Sequence, residues 1–400
     1  MTRAVRRRLG HATLVAGLLA ASGAVAEDPS AATAPPTTTA AAAPADPATT
    51  LAPLSPPSTM PATAGEPPRP TAETAPAVAP TVAPAATASA TMTSPSDMPA
   101  AGAAAAAATG AATLFRDDSG VRLRVDGRDF FVVGVNWDYV PIGQNYAYSL
   151  WQQPDDVIEA ALTREMTLLR RMHVNAIRVY EGMPAKWVTW IWDRFGIATV
   201  LNHTVGRYGF SIDGRWTPQV DYSDPRTRQV ILEDVLRMVR EHENTRGLLL
   251  WLLGNENNYG LSWASTEIEA LPQGERDVTR ARFLYSLVND VAVAMKKDDP
   301  VHLVALANGD LQYIDVIARE APAIDVFGTN VYRGRSAGDL FAVVQKKLDK
   351  PVFLTEFGAD AFDARRRVED DVVQADYLLA QWQELYEQSA GKGRVQNSVG

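Results

Sequence analysis

An α/β fold, specifically a (β/α)8 TIM barrel behind a long Ala/Pro/Thr-rich segment, is what the sequence predicts, and three observations carry it. Strand-like and helix-like stretches alternate seven times between Phe131 and Glu387. Gly247–Gly254 is almost continuously apolar, as expected of a parallel strand covered on both faces. Polar residues collect at the carboxyl ends of the strands, where a barrel presents its chemistry. Seven successive βα units with right-handed crossovers favour a closed barrel over a doubly wound sheet.

The chain opens on arginines at 3, 6, 7 and 8, an apolar run from Leu14 to Val25 and small residues at Ala24 and Ala26. That is the layout of a signal peptide over residues 1–26, too short in its apolar part for a membrane span. It predicts an exported protein: periplasmic, envelope-associated or extracellular, with no transmembrane span in the mature chain. Residues 27–113 are nearly all Ala, Pro, Thr and Ser. They offer too little apolar surface to offset the entropy of ordering a backbone, and are expected to form a disordered linker. The barrel domain is assigned to 114–400.

Within that domain Val121–Val125 and Phe130–Val133 flank Asp126-Gly127, a strong hairpin turn, and this hairpin is placed at the bottom of the barrel. Helix follows at Thr163–Met172, with Leu162, Met166, Leu169 and Met172 on one face. Strand is expected at Asn175–Tyr180, helix at Pro184–Phe195 and strand at Ile197–Leu201. Asp224-Pro225 reads as an N-cap and first helical residue, opening a helix to about Glu243. After Gly247–Gly254 come helix Thr279–Lys297, strand His302–Leu306, helix Leu311–Arg319, strand Asp325–Thr329, helix Gly338–Leu348, strand Pro351–Leu354 and helix Val368–Glu387. Only Arg394–Gly400 remain beyond Gly393, so the eighth strand is expected to be truncated.

The formal charge is −9. The leader holds four arginines and no acid and the linker six acids and one arginine, which leaves −8 on 114–400. An acidic domain with scattered cations is a poor nucleic-acid binder. There is no cysteine, hence no disulfide and no thiolate nucleophile. The five histidines include no pair at i, i+4, and neither a metal site nor a cofactor is expected.

The strand ends carry Asn136, Trp137 and Asp138; Arg178, Tyr180 and Glu181; Asn202 and His203; Asn255, Glu256, Asn257 and Asn258; Asn308 and Asp310; Asn330 and Tyr332; and Glu356. Amides hydrogen-bond hydroxyls and aromatic faces stack on pyranose rings, so this set points to a carbohydrate. Cleaving a glycosidic bond with retention needs two carboxyl groups, one protonated to release the leaving oxygen and one ionised to attack. Glu256 and Glu356 end the fourth and seventh strands, 100 residues apart in sequence, and are the candidate catalytic pair.

Ile177-Arg178-Val179-Tyr180, Gly254-Asn255-Glu256-Asn257-Asn258, Phe327-Gly328-Thr329-Asn330-Val331-Tyr332 and Phe353-Leu354-Thr355-Glu356-Phe357-Gly358 resemble the clan A glycoside hydrolases. The resemblance, over about Phe130 to Glu387, is to the barrel domain of family 2 and to the β-1,3-glucanosyltransferases of family 72. It implies Glu256 as acid/base and Glu356 as nucleophile. It also implies that Asn255 bonds the sugar 2-hydroxyl and that Arg178 and Tyr332 orient Glu356 and favour its ionised form. Tyr180, His203 and Asn330 complete the expected substrate-binding set, with Trp137 stacking on a sugar ring.

Alternatives stay open at single positions. Arg178 also reads as a structural ion-pair residue, Trp137 and Tyr332 as rim packing, and His203 as a framework residue. Asn308 and Asp310 also read as helix caps. At the level of function, the expectation is a retaining glycosidase or transglycosylase on a β-linked polysaccharide or oligosaccharide such as a β-glucan. Aromatics at Trp137, Tyr259 and Trp263 suit a sugar acceptor. The alternative is a non-catalytic carbohydrate-binding protein of the envelope on the same barrel. An aldolase-type barrel enzyme would want a lysine or metal at a strand end, and none is found.

Overall fold

A computed structural model describes residues 109–400 except Tyr146, Glu181, 263–267 and Ala270. The expected signal peptide, the linker up to residue 108 and Trp263 lie outside the described residues. Structure begins earlier than residue 114. Strand β1 spans Ala112–Asp117 and pairs antiparallel with β2 (Gly120–Val125), which turns through Asp126-Gly127 into β3 (Arg128–Phe130). Both turn residues have φ near the left-handed region, at 50° and 76°, as that two-residue hairpin turn requires.

The chain then builds seven parallel strands: β4 (Gly134–Asn136), β5 (Ala176–Tyr180), β6 (Ala198–His203), β9 (Leu248–Leu253), β10 (Val304–Gly309), β11 (Val326–Val331) and β12 (Val352–Phe357). They lie side by side in chain order. The helices α1 (Asp155–Arg171), α2 (Ala185–Phe195), α3 (Pro225–Glu241), α4 (Gln273–Asp298), α5 (Ile314–Glu320), α6 (Leu340–Leu348) and α7 (Asp371–Glu387) connect or follow them. The eighth position is short. Asn397–Gly400 run between β12 and β4: Val399 N–H donates to Val352 O (2.9 Å), Leu354 N–H to Gly400 O (2.8 Å), and Val132 N–H to Val399 O (3.0 Å).

Alternation along each strand sorts the core into two layers. Ala198, Val200, Leu250, Leu252, Ala305, Ala307, Val326 and Phe353 fill the barrel interior. Leu123 and Val125 of β2 close its amino-terminal end, which places the hairpin at the bottom as expected. Leu201, Trp251, Leu253, Val304, Leu306 and Phe327 face the helices. Gly328 is required by this packing, since a Cβ there would lie 2.1 Å from Leu306 O.

Several boundaries differ from expectation. Helix α1 starts at Asp155 rather than Thr163, after Pro154 and with Asp155 and Asp156 in its first turn, where acids suit the helix dipole. Helix α4 starts at Gln273 rather than Thr279, just after Pro272. Helix α7 starts at Asp371 because Asp370 caps it by accepting from Val373 N–H, while Val368–Glu369 (β14) pairs with Phe362–Asp363 (β13). A further hairpin, β7 (Phe210–Ile212) and β8 (Arg215–Thr217), sits between β6 and α3.

Candidate active site

Side chains aimed inward at the carboxyl end of the barrel assemble around Arg178. Its guanidinium is buried, and its fork meets four acceptors on three other strands or their ends. Nε and Nη2 donate to Asn202 Oδ1 (2.8 and 2.6 Å), Nη2 to Asn255 Oδ1 (2.8 Å), and Nη1 to Thr355 O (3.2 Å) and Glu356 Oε1 (2.9 Å). The planar fork explains arginine here, since a point charge cannot serve that many directions. Asn202 is anchored in turn by donating to Leu252 O and Gly254 O.

Glu356 is 19% exposed at its side chain. It accepts from Arg178, from Tyr332 Oη (3.0 Å) and, at 3.4 Å, from Tyr180 Oη, the surroundings of an acceptor-only carboxylate. Burial first, and then the adjoining Glu356 charge, raise the proton affinity of both phenols despite Arg178, so both remain donors. Tyr332 is exposed at the mouth and reaches inward only with the hydroxyl that donates to Glu356 Oε2.

Glu256 follows β9 in a left-handed conformation (φ 54°), two residues after Gly254 (φ 80°). A non-glycine residue there stores strain of order 1–3 kcal/mol, which surrounding contacts must hold. Here Glu256 N–H donates to Ala307 O (3.0 Å) and Tyr259 N–H to Glu256 O (3.0 Å). The carboxyl is half-buried. Desolvation raises its pKa above the ordinary 4.5, the Asn330 amide lowers it, and the Glu356 charge raises it again, for a net upward shift. The two carboxyl groups therefore differ in surroundings: Glu356 is ion-paired to Arg178, and Glu256 has its pKa raised, chiefly by burial. This is the division that acid/base and nucleophile roles require.

Asn255 is held by Arg178 and by Asn330 Nδ2 (3.3 Å) at its Oδ1, and donates from Nδ2 to Tyr208 Oη (2.6 Å). Thr355 Oγ1 donates to Asn330 Oδ1 (2.6 Å). A register shift between Thr329 and Asn330 pairs Asn330 with Glu356 across β11 and β12.

Arg178, Tyr180, Asn255, Asn330, Tyr332 and Glu356 thus form one connected cluster, and Glu256 directly follows Asn255 of that cluster. Two expected residues stand apart. His203 is 1% exposed, accepts from Val205 N–H at Nδ1 (3.0 Å) and meets Asp234 of α3 at Nε2 (3.0 Å), so it ties β6 to a helix. Strand alternation explains it: Asn202 faces the barrel interior, so its neighbour faces out. Trp137 is 7% exposed and packs with Tyr139 and Trp151 at centroid distances of 6.5 and 6.1 Å, not as an open platform. Asn308 Nδ2 donates to Asp310 O and Gln312 O, which makes it a turn-forming residue. Asn202, Thr355 and Tyr208 belong to the cluster but were not among the expected site residues. Asn202 was visible as a polar strand end; nothing in the residue pattern marked Tyr208.

Residues 156–384 match the model of the glycosyl hydrolases family 2, TIM barrel domain. The chain is 27% identical over 143 residues to a beta-galactosidase of Aeromonas hydrophila subsp. hydrophila, covering 35% of this chain and 12% of that protein. The beta-glucuronidase of Bacteroides uniformis superposes with a TM-score of 0.50 at 16% identity, over 68% of this chain and 31% of its own. A GH2 beta-galacturonidase from Eisenbergiella tayi bound to galacturonate gives 0.47 at 16%, over 69% and 44%. The chain therefore spans less than half the length of each of these relatives. Over more than half of its own length it matches the family 2 model, and it belongs to the glycosyl hydrolases family 2 through a TIM barrel domain.

Proposed function

We propose that the barrel is the catalytic domain of a retaining β-glycosidase acting on β-linked oligosaccharide or polysaccharide, β-glucan included. In this reading Glu356 attacks the anomeric carbon while Glu256 gives its proton to the departing glycosidic oxygen, leaving a sugar esterified to Glu356. Glu256, now a carboxylate, takes a proton from water or from a sugar hydroxyl. That oxygen attacks the anomeric carbon and frees Glu356, completing hydrolysis or transglycosylation respectively. One observation carries the reading: Glu356 is gripped by Arg178, Tyr332 and Tyr180, while burial and the Glu356 charge raise the pKa of Glu256. The stretch shared with the galactosidase supports a β-linked glycoside. Export is part of the proposal and predicts a mature amino terminus at Glu27, read by intact mass after secretion.

The test is incubation with 2-deoxy-2-fluoro glycosides of glucose, galactose and mannose, followed by intact mass and peptide mapping. A stable adduct on the peptide containing Glu356, absent in Glu356→Gln, is expected. No adduct from a folded sample with any of the three would favour a non-catalytic carbohydrate-binding protein.

A further inference from the structure

We infer that the segment Arg207–Thr217 is a second sugar subsite, so that the substrate is a chain of at least two sugars rather than a simple glycoside; the inference rests on the reading of Glu256 and Glu356 proposed above. The segment is continuous with the candidate site. Tyr208 Oη accepts from Asn255 Nδ2, and Asn255 Oδ1 is held by the same guanidinium that holds Glu356. Having accepted one hydrogen bond, the Tyr208 hydroxyl keeps its own O–H to donate. The residue is 56% exposed, which leaves that donor open to a ligand at the mouth.

Next to it stands an aromatic residue with no role in closing the barrel. Trp216 is 62% exposed, whereas tryptophan is on average a strongly buried residue. Its position is nevertheless built. The six-membered ring lies over Gly209, where a Cβ would come within 2.6 Å of Trp216 Cζ2 and where φ is +97°. Only glycine satisfies both conditions. Gly209 directly follows Tyr208, so the indole packs over the backbone one residue from the tyrosine that meets Asn255. The hairpin beneath is set by the Asp213-Gly214 turn (φ 50° and 78°) and tied to α3 by Arg226 Nε donating to Asp213 (3.1 Å). The Arg207 guanidinium lies 5.4 Å from the Tyr208 ring centroid.

Two exposed aromatics, Trp216 held by the hairpin and Gly209, and Tyr208 by Asn255, are preorganised, which saves a ligand the entropy of ordering them. An aromatic face is electron-rich and attracts the polarised C–H bonds of a pyranose, and a phenol adds a donor for a sugar hydroxyl. That chemistry fits the ring adjoining the one bonded to Glu356.

The experiment first identifies the sugar whose 2-fluoro glycoside labels Glu356. It then compares kcat and KM for the aryl monoglycoside of that sugar and for its β-linked trisaccharide, in wild type, Trp216→Ala, Trp216→Tyr and Tyr208→Phe. Trp216→Ala is expected to lower kcat/KM for the trisaccharide about tenfold more than for the aryl monoglycoside, mainly through KM, with Trp216→Tyr restoring most of the difference. Tyr208→Phe is expected to lower kcat/KM for the trisaccharide several-fold. Labelled wild type with equal effects of Trp216→Ala on both substrates, or none, would overturn the subsite and leave the glycosidase reading standing. No label on Glu356 in wild type would remove the glycosidase reading and the subsite with it.

Discussion

Replacing Arg178 by lysine keeps a positive charge on β5 and removes the fork. The arginine makes five hydrogen bonds to four acceptors, two of them to Asn202 Oδ1. An ammonium has three donors radiating from one point. If it keeps Glu356, it cannot also serve Asn202 Oδ1, Asn255 Oδ1 and Thr355 O in their present positions. At least two buried hydrogen bonds are lost, at about 1–3 kcal/mol for each acceptor left unsatisfied. Some relaxation and partial replacement bring the expected loss of stability to about 2–4 kcal/mol. At ~2–3 °C per kcal/mol for a domain of this size, the melting temperature falls by roughly 5–10 °C. Glu356 also loses its fixed direction, and a displacement on the order of 1 Å costs about a hundredfold in rate. The assay pairs thermal unfolding with the rate at which the 2-fluoro glycoside labels Glu356, for Arg178→Lys against wild type. A melting temperature within 1 °C of wild type, together with labelling within twofold, would refute the argument that the fork organises this site.

Further outcomes follow from the same geometry. Glu256 has its folded pKa raised, first by burial, so the neutral carboxyl is the form the fold favours. Its contribution is present below the unfolded pKa and is lost as pH rises through the folded value; Glu256→Gln should therefore raise the melting temperature at neutral pH, with the gain vanishing below about pH 4. The same variant should lose the basic limb of the pH–rate profile, and retention of that limb would assign the acid elsewhere. Asp299, held near a pKa of about 2 because its bonds to His302 and Trp251 outweigh its burial, contributes stability that is present above its unfolded pKa and lost as pH falls through 2. Asp299→Ala should cost about 2 kcal/mol at neutral pH by stripping the Trp251 Nε1–H of its acceptor, measured by chemical denaturation. His203→Ala should destabilise by about 1–3 kcal/mol and leave KM within twofold for folded protein; a tenfold rise in KM would return His203 to the substrate site.

Much of this architecture is written in local chemistry. Seven apolar or β-branched runs separated by amphipathic stretches demand a layered α/β core, and the Asp126-Gly127 pair announces its hairpin because two consecutive left-handed residues are cheap only for such a pair. The β7–β8 hairpin carried the same signal in Asp213-Gly214 and could have been read from it. Boundaries were less legible. Strand β1 begins inside an alanine-rich stretch whose composition gives no strand signal, and it exists because β2 offers it a partner.

Within the candidate site, the residue types and the spacing of Asn255-Glu256 and Glu356 could be read without a structure, because strand ends of a parallel barrel all open on one side. The facing of each side chain could not. Asn202 points to Arg178 and His203 to Asp234, a difference of one residue on a strand buried on both faces, where no polar alternation reveals the inside. The register shifts between Thr199 and Val200 and between Thr329 and Asn330 re-aim whole strand ends, and neither leaves a mark in the sequence. The link from Asn255 to Tyr208 is similar, because a loop residue 47 positions away enters the site only when the chain is folded. Sequence alone determined the class of fold and the family, and it proposed the pair of carboxyl groups, since these depend on residue type and period. Tertiary structure decided which polar groups face one another, since that depends on register, bulges and loop return, which are properties of pairs of strands and of no single segment.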